Sequence, residues 1–356
     1  MDMGIYQINR ENIFMNRSFG FLSKTVVCAV LFSSVAMAAP PAKDLGAGHG
    51  KGGDDRSHPL GKKHRALRQR ALQDKIMGKT SGKVHEVAKG QYVELERQGE
   101  DLIWTVMADF GDEELPYEGY EDGLPGPQHN QIPEPDRTPT NDNSTIWVPD
   151  FNKDYYMDML FAEGDGVISM REFYIEVSSN RYAVDGDVTD WGQVPYNTAA
   201  YGRYGDAGDV WYFVSDSVQD WYATKVGEGW EQADFDAYLS KFDVWDRYDY
   251  DQDGIFDEPD GYIDHFQSVH AGMGEEAGGG IYGEDAIWSH RWYAFSNGFG
   301  VWGPAFNLAG GVPIGDTGYW IGDYTIEPEN GGVGVFAHEF GHDLDLPDLY
   351  DTGGGV

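Results

Sequence analysis

Apolar positions recur at three spacings along this chain, and each spacing marks a different kind of segment. Residues 25–35 form an apolar run too short to span a bilayer. Between 64 and 77 the apolar side chains fall at helical intervals (Ala66, Leu67, Ala71, Leu72, Ile76), and Gly78 is a stop signal. Residues 84–110 alternate in strand fashion through Val84, Val87, Tyr92, Val93, Leu95, Ile103, Trp104 and Val106. Residues 111–145 lose the pattern and fill with Gly, Pro, Asp, Glu and Asn, as an irregular loop or processing linker does.

Beyond 145 the pattern becomes globular. Residues 154–162 and 169–177 read as short helices and 181–184 as a strand. Val210, Phe213, Val214, Val218 and Trp221 form one helical stripe, and Phe235, Tyr238, Leu239 and Phe242 form another; aromatic residues on such stripes are core. Strand-like runs follow at 262–269 and 286–292. The last periodic segment runs from Val333 to Leu346 and has the composition of a buried helix. Helices mixed with short strands predict an α+β fold.

Composition adds a direction to this order. Arg17 and Lys24 precede the apolar run, and Ala36-Met37-Ala38 follows it as a small-x-small cleavage site, so residues 1–38 read as an export signal with no retained membrane anchor. The one cysteine, Cys28, lies inside that signal, leaving the exported chain without a disulfide or a thiol. Residues 1–100 carry 16 Lys/Arg against 10 Asp/Glu, and the remainder 9 against 51. A surface of that sign excludes nucleic acid as a partner and suits divalent cations.

The buried helix carries the chemistry. Its segment His338-Glu339-Phe340-Gly341-His342 is an HExxH pattern, with two imidazoles on one helical face, one turn apart, able to bind a single zinc ion. Glu339 lies beside the metal's open position and can take a proton from the attacking water. A catalytic zinc needs a third protein ligand. Pro347 ends the helix, and Asp348 stands where a chain reversing after it returns to the ion; Asp343, Asp345 and Asp351 compete for the role.

The stretch HEFGHDLDLPDLYDT resembles the active-site segment of immune inhibitor A type secreted bacterial metallopeptidases, the M6 peptidase family, whose motif runs HExxHxxGxxD. The resemblance implies that His338, His342 and Asp348 hold zinc and that Glu339 is the general base. The family's glycine is matched here by Asp345, which tolerates a left-handed turn less freely than Gly. The fold it implies is zincin-like, and residues 39–110 resemble the family's propeptide, basic against an acidic domain. On this reading 111–145 is a linker or processing region and 146–356 the metallopeptidase domain. The C-terminal part of the catalytic domain is expected to be missing, since the resemblance implies a further subdomain beneath the zinc.

A second pattern, Asp249 to Asp260, has the spacing of an EF-hand loop: oxygens from Asp249, Asp251 and Asp253, Gly254 at the sharp turn, the Ile255 carbonyl, Asp257 and Asp260. Pro259 and Gly261 argue against a following helix, so the loop reads as a structural calcium site, with Asp264 as a possible additional ligand. His290 reads as a hydrogen-bonded histidine between aromatics, His265 and His270 lack metal spacing, and Tyr324-Thr325-Ile326-Glu327 is a candidate edge strand for an extended peptide. Together these features predict a secreted zinc endopeptidase, made as a precursor with its own propeptide, braced by calcium and acting on protein or peptide substrates. The reading set against it is a calcium-dependent extracellular binding or adhesion module with a relic metallopeptidase site.

Overall fold

The computed structural model describes residues 60–115, 124–136, 145–203 and 208–347. The export signal, Cys28, the cleavage site at Ala38, Asp348 and Asp351 lie outside the described residues. The chain opens with α1 (Gly61–Ile76) and the antiparallel hairpin β1 (Val84–Ala88) and β2 (Gln91–Glu94), followed by β3 (Gly99–Asp109). Next come α2 (Lys153–Phe161), α3 (Met170–Val177), β4 (Tyr182–Val188), β5 (Gly192–Gln193), α4 (Ala199–Gly202), α5 (Gly208–Gly227) and α6 (Gln232–Leu239). The last part holds β6 (Phe266–His270), β7 (His290–Tyr293), β8 (Val312–Pro313), β9 (Trp320–Ile321), β10 (Asp323–Pro328) and α7 (Gly332–Asp343). Two helix starts follow from their caps: Asn152 Oδ1 accepts from Tyr155 N at 2.9 Å, and Ser169 Oγ accepts from Glu172 N at 3.1 Å. Among the described residues, no helix is long and apolar enough to cross a membrane.

One six-stranded sheet organises the fold, in the order β4-β3-β6-β10-β7, with β5 pairing β3. All neighbours along that path are parallel except β7, which runs antiparallel to β10 at the edge. Strand β3 is buried almost throughout because both of its faces are covered. Ile103 and Met107 pack with Phe336 and Phe340 of α7 and with Tyr156 and Met170 on one face. On the other, Trp104 meets Trp221 of α5, with ring centroids 4.7 Å apart, and Phe266 at 5.5 Å. The described residues are therefore layered helix, sheet, helix, and α7 lies against β10 and β7.

Two expectations bear on this sheet. A prosegment running to residue 110 would include β3, yet β3 is the strand that pairs both β4 and β6. Tyr324–Glu327 was expected at an edge, but β10 is flanked on both sides, by β6 and β7. Alternating side chains record that a strand has two faces and carry no record of whether both its hydrogen-bonding edges are filled.

Candidate metal centre

His338 and His342 lie on α7, which is apolar where it meets the sheet: Phe336 and Phe340 are buried on the core side. The two Nε2 atoms face each other at 3.2 Å. Imidazole nitrogens about 2.05 Å from one tetrahedral zinc would stand roughly 3.3 Å apart, so the donor pair fits that ion. Glu339 is 2 % exposed between them. Tyr174 of α3 donates its hydroxyl to the carbonyl of Ala337 at 2.6 Å, fixing the turn that carries His338. A Cβ added at Gly341 would lie 3.5 Å from that hydroxyl, so the helix face presented to Tyr174 is already in contact.

The end of α7 sets the second imidazole. Leu346 N donates to Gly341 O at 3.0 Å and Asp345 N to His342 O at 2.9 Å, the paired bonds of a Schellman turn. Such a turn needs one left-handed residue, and Asp345 supplies it with φ +64°. The reversal brings Leu346 O to 2.9 Å from His342 Nδ1, which donates to it and leaves Nε2 with its lone pair.

Behind this turn is a buried charge network. Asp343, 5 % exposed, accepts from Arg247 Nη1 and Nη2 at 2.9 and 2.8 Å and from His265 Nδ1 at 2.6 Å. Burial works to raise the Asp343 carboxyl, but Arg247 and His265 outweigh it and hold it well below the usual range. Beside it, Arg291 pairs with Asp323, which also accepts from Tyr248 Oη at 2.7 Å. Asp343, weighed earlier as a zinc ligand, thus has its carboxylate committed to protein cations. His290 sits between the Trp288 carbonyl and Tyr324 Oη at 2.7 and 2.8 Å, and the His270 Nδ1 meets the Ala271 carbonyl at 3.0 Å.

The acidic loop is built from local turns. Asp249 Oδ1 accepts from Gly254 N, Asp251 Oδ1 from Asp253 N, and Asp253 Oδ1 from Ile255 N. Gly254 has φ +81°, and a Cβ there would strike the ring of Tyr92 at 2.8 Å, so only glycine fits. The carboxylates of Asp249, Asp251 and Asp253 converge within 4.8 Å, as do those of Asp246, Asp251 and Glu258. Asp257 is not in either group; it is exposed and pairs with Arg97 at 3.3 Å. Nor is Asp260, whose carboxylate accepts from Tyr262 N at 2.9 Å and Asn307 Nδ2 at 3.1 Å. Ile255 N is tied to Asp253, and Asp264 accepts from Val244 N and Trp245 N. Burial pushes Asp243 and Asp246 up to about 6, as for carboxylates with no cation beside them, and pushes Asp264 to about 7 against the opposing pull of His265. The sequence reading did not count Asp246 or Glu258 among the ligands, although the first is an acid just before the loop and the second an acid within it.

The family profile of the immune inhibitor A peptidase M6 catalytic domain matches residues 89–356. This chain belongs to the peptidase M6 family. The resemblance read from the HEFGH segment is thereby confirmed, and the M6 match takes in all of β3. Among curated proteins the M6 chain is similar to immune inhibitor A of Bacillus thuringiensis subsp. alesti, 41% identical over 240 residues, 63% of this chain and 32% of that protein. It is also similar to the pre-pro-metalloprotease PrtV of Vibrio cholerae serotype O1 (strain M66-2), 34% identical over 304 residues, 82% of this chain and 29% of that protein. The chain thus spans about a third of the length of these relatives.

Proposed function

We propose that this M6 chain is the zinc-binding part of a secreted endopeptidase made as a precursor. The observation that carries the reading is the facing Nε2 pair of His338 and His342, 3.2 Å apart, with the His342 tautomer set by Leu346 O. His338 and His342 would hold the metal, with Asp348 as third ligand by its place in the family motif. A zinc ion bound there supplies a Lewis acid to the scissile carbonyl and to water. Glu339 takes the proton of the attacking water on its carboxylate and delivers it to the nitrogen of the leaving amine.

Calcium would bind the acidic loop through Asp249, Asp251 and Asp253, joined by Asp246 and Glu258. A removable prosegment would end before Gly99, because losing β3 would open the sheet; export would follow cleavage near Ala38. Two measurements test the whole. Zinc should be near one per chain and be lost in His338→Ala and His342→Ala, and Asp348→Ala should weaken it. Casein digestion that survives Glu339→Ala would sink the peptidase reading, and a wild-type protein without zinc would favour the adhesion alternative.

A further inference from the structure

All four Nη hydrogens of Arg247 are committed, and three of the four bonds grip one residue. Nη1 donates to the main-chain carbonyl of Asp343 at 3.1 Å and to its Oδ1 at 2.9 Å; Nη2 donates to its Oδ2 at 2.8 Å and to Asp264 O at 2.8 Å. Asp343 is the residue after His342 and the last of α7. A helix ends with carbonyls that have no intrahelical donor and with a partial negative charge, so a buried guanidinium there satisfies an orphan acceptor and the helix dipole together.

We propose that Arg247 is a positioning residue for the second metal-binding histidine: by clamping both the carboxylate and the carbonyl of Asp343 it holds the Schellman turn whose Leu346 carbonyl sets the His342 ring. The chain of contacts is short. Arg247 fixes Asp343, the turn closes through Asp345 N to His342 O and Leu346 N to Gly341 O, and Leu346 O accepts from His342 Nδ1. The fork geometry matters, because a lysine in the same place supplies a charge but cannot meet a carboxylate bidentately and a carbonyl at once. Arg97 is a contrast within the same molecule. It makes a similar fork to Asp101, at 3.1, 3.0 and 2.6 Å, but reaches Asp343 only indirectly, through Asp101 and His265.

The inference rests on the metallopeptidase reading, and its test separates the two. Wild type, Arg247→Lys, Asp343→Asn and Arg97→Lys are compared as full chains, with folding checked by circular dichroism. Zinc affinity is measured by competition with a chelator, and the His342 tautomer by 15N NMR of the metal-free protein. Arg247→Lys is expected to weaken zinc binding by about 10–100-fold, the usual effect of losing a group that orients a ligand. It should also mix the His342 tautomers, with Asp343→Asn moving both in the same direction and Arg97→Lys, which acts only at second hand, moving both far less. Unchanged zinc affinity and tautomer in folded Arg247→Lys overturns the proposal. If Arg247→Lys does not fold, Asp343→Asn decides it on the same two readouts. A wild-type protein that binds no zinc overturns the metallopeptidase reading instead, while the tautomer in metal-free protein still decides whether Arg247 sets the ring.

Discussion

Two groups of buried carboxylates meet at Asp246 and Arg247, and they are handled in opposite ways. Asp101, Asp323 and Asp343 are matched by Arg97, Arg247, Arg291 and His265. Asp243, Asp246, Asp249 and Asp260 are buried too, yet their carboxylates accept from backbone N–H groups and the Asn307 amide, and no basic side chain among the described residues pairs with them. A buried charge is tolerated only with a partner. The first group carries its counter-charge in the chain and packs behind α7; the second does not, and on the calcium reading proposed above its counter-charge would come from solution.

The largest effect should come from breaking a match. Arg291→Met leaves Asp323 buried with only Tyr248 Oη and the more distant Arg247, 3.7 Å away. The expected loss is about 3–5 kcal/mol in urea unfolding at neutral pH, the range for stranding one partner of a buried pair. A loss below about 1 kcal/mol would mean the network tolerates a free carboxylate, and the contrast with the acidic loop would fail.

Next in size is the effect of supplying the missing charge. Calcium at about a hundredfold excess over its dissociation constant should stabilise the wild-type protein by about 2.7 kcal/mol, read as a rise in thermal midpoint over a chelator control. Asp251 belongs to both convergent groups, so Asp251→Asn should abolish most of that rise and, in chelator, should raise the midpoint by relieving repulsion. Equal calcium responses in Asp251→Asn and wild type would remove the loop from consideration.

A smaller effect tests the matched group by pH. Burial would lower the His265 imidazole, but the Asp101 and Asp343 carboxylates beside it outweigh burial and raise it above its ordinary value, with Arg247 and the Asp264 carbonyl also close by. A raised folded pKa gives stability that is complete below the unfolded value and is lost as pH rises through the folded one. Stability should therefore fall from pH 6 towards pH 9, and His265→Gln should flatten that slope in urea titrations. The Asp101 carboxyl, which burial alone would raise, is held low by His265 and Arg97, so its contribution disappears only in strong acid.

How much of this was legible follows from how local each feature is. The HExxH pair, the helices at α2 and α3 with their Asn152 and Ser169 caps, and the acidic turn at Asp249 to Asp253 depend on neighbours within a few residues, and the sequence shows them. The place of β3 does not, because its partners β4 and β6 lie far along the chain, and a strand pattern at the end of a basic stretch carries no record of them. Arg247 and Asp343 are 96 residues apart, and no spacing rule joins them. For the acidic loop the EF-hand offsets presume a helix after the loop. With Pro259 and Gly261 in its place, the chain turns Asp260 towards Asn307 and leaves Asp246 and Glu258 to converge on Asp251.

The smallest expected effect concerns the turn that both regions leave alone. Asp345 holds φ +64° where the family motif has glycine, and its side chain is exposed, so it gives the matched network nothing in exchange for its strain. An L-residue in the left-handed region costs about 1–2 kcal/mol, somewhat less for Asp, while glycine gives part of that gain back through the entropy of the unfolded chain. Asp345→Gly should therefore stabilise by about 0.5–1 kcal/mol. Zinc affinity should stay the same, because Leu346 N to Gly341 O and His342 Nδ1 to Leu346 O do not involve the Asp345 side chain. A destabilised Asp345→Gly would show that this carboxylate is matched after all, and the division between supporting and cation-seeking acids would have to be redrawn at the metal helix itself.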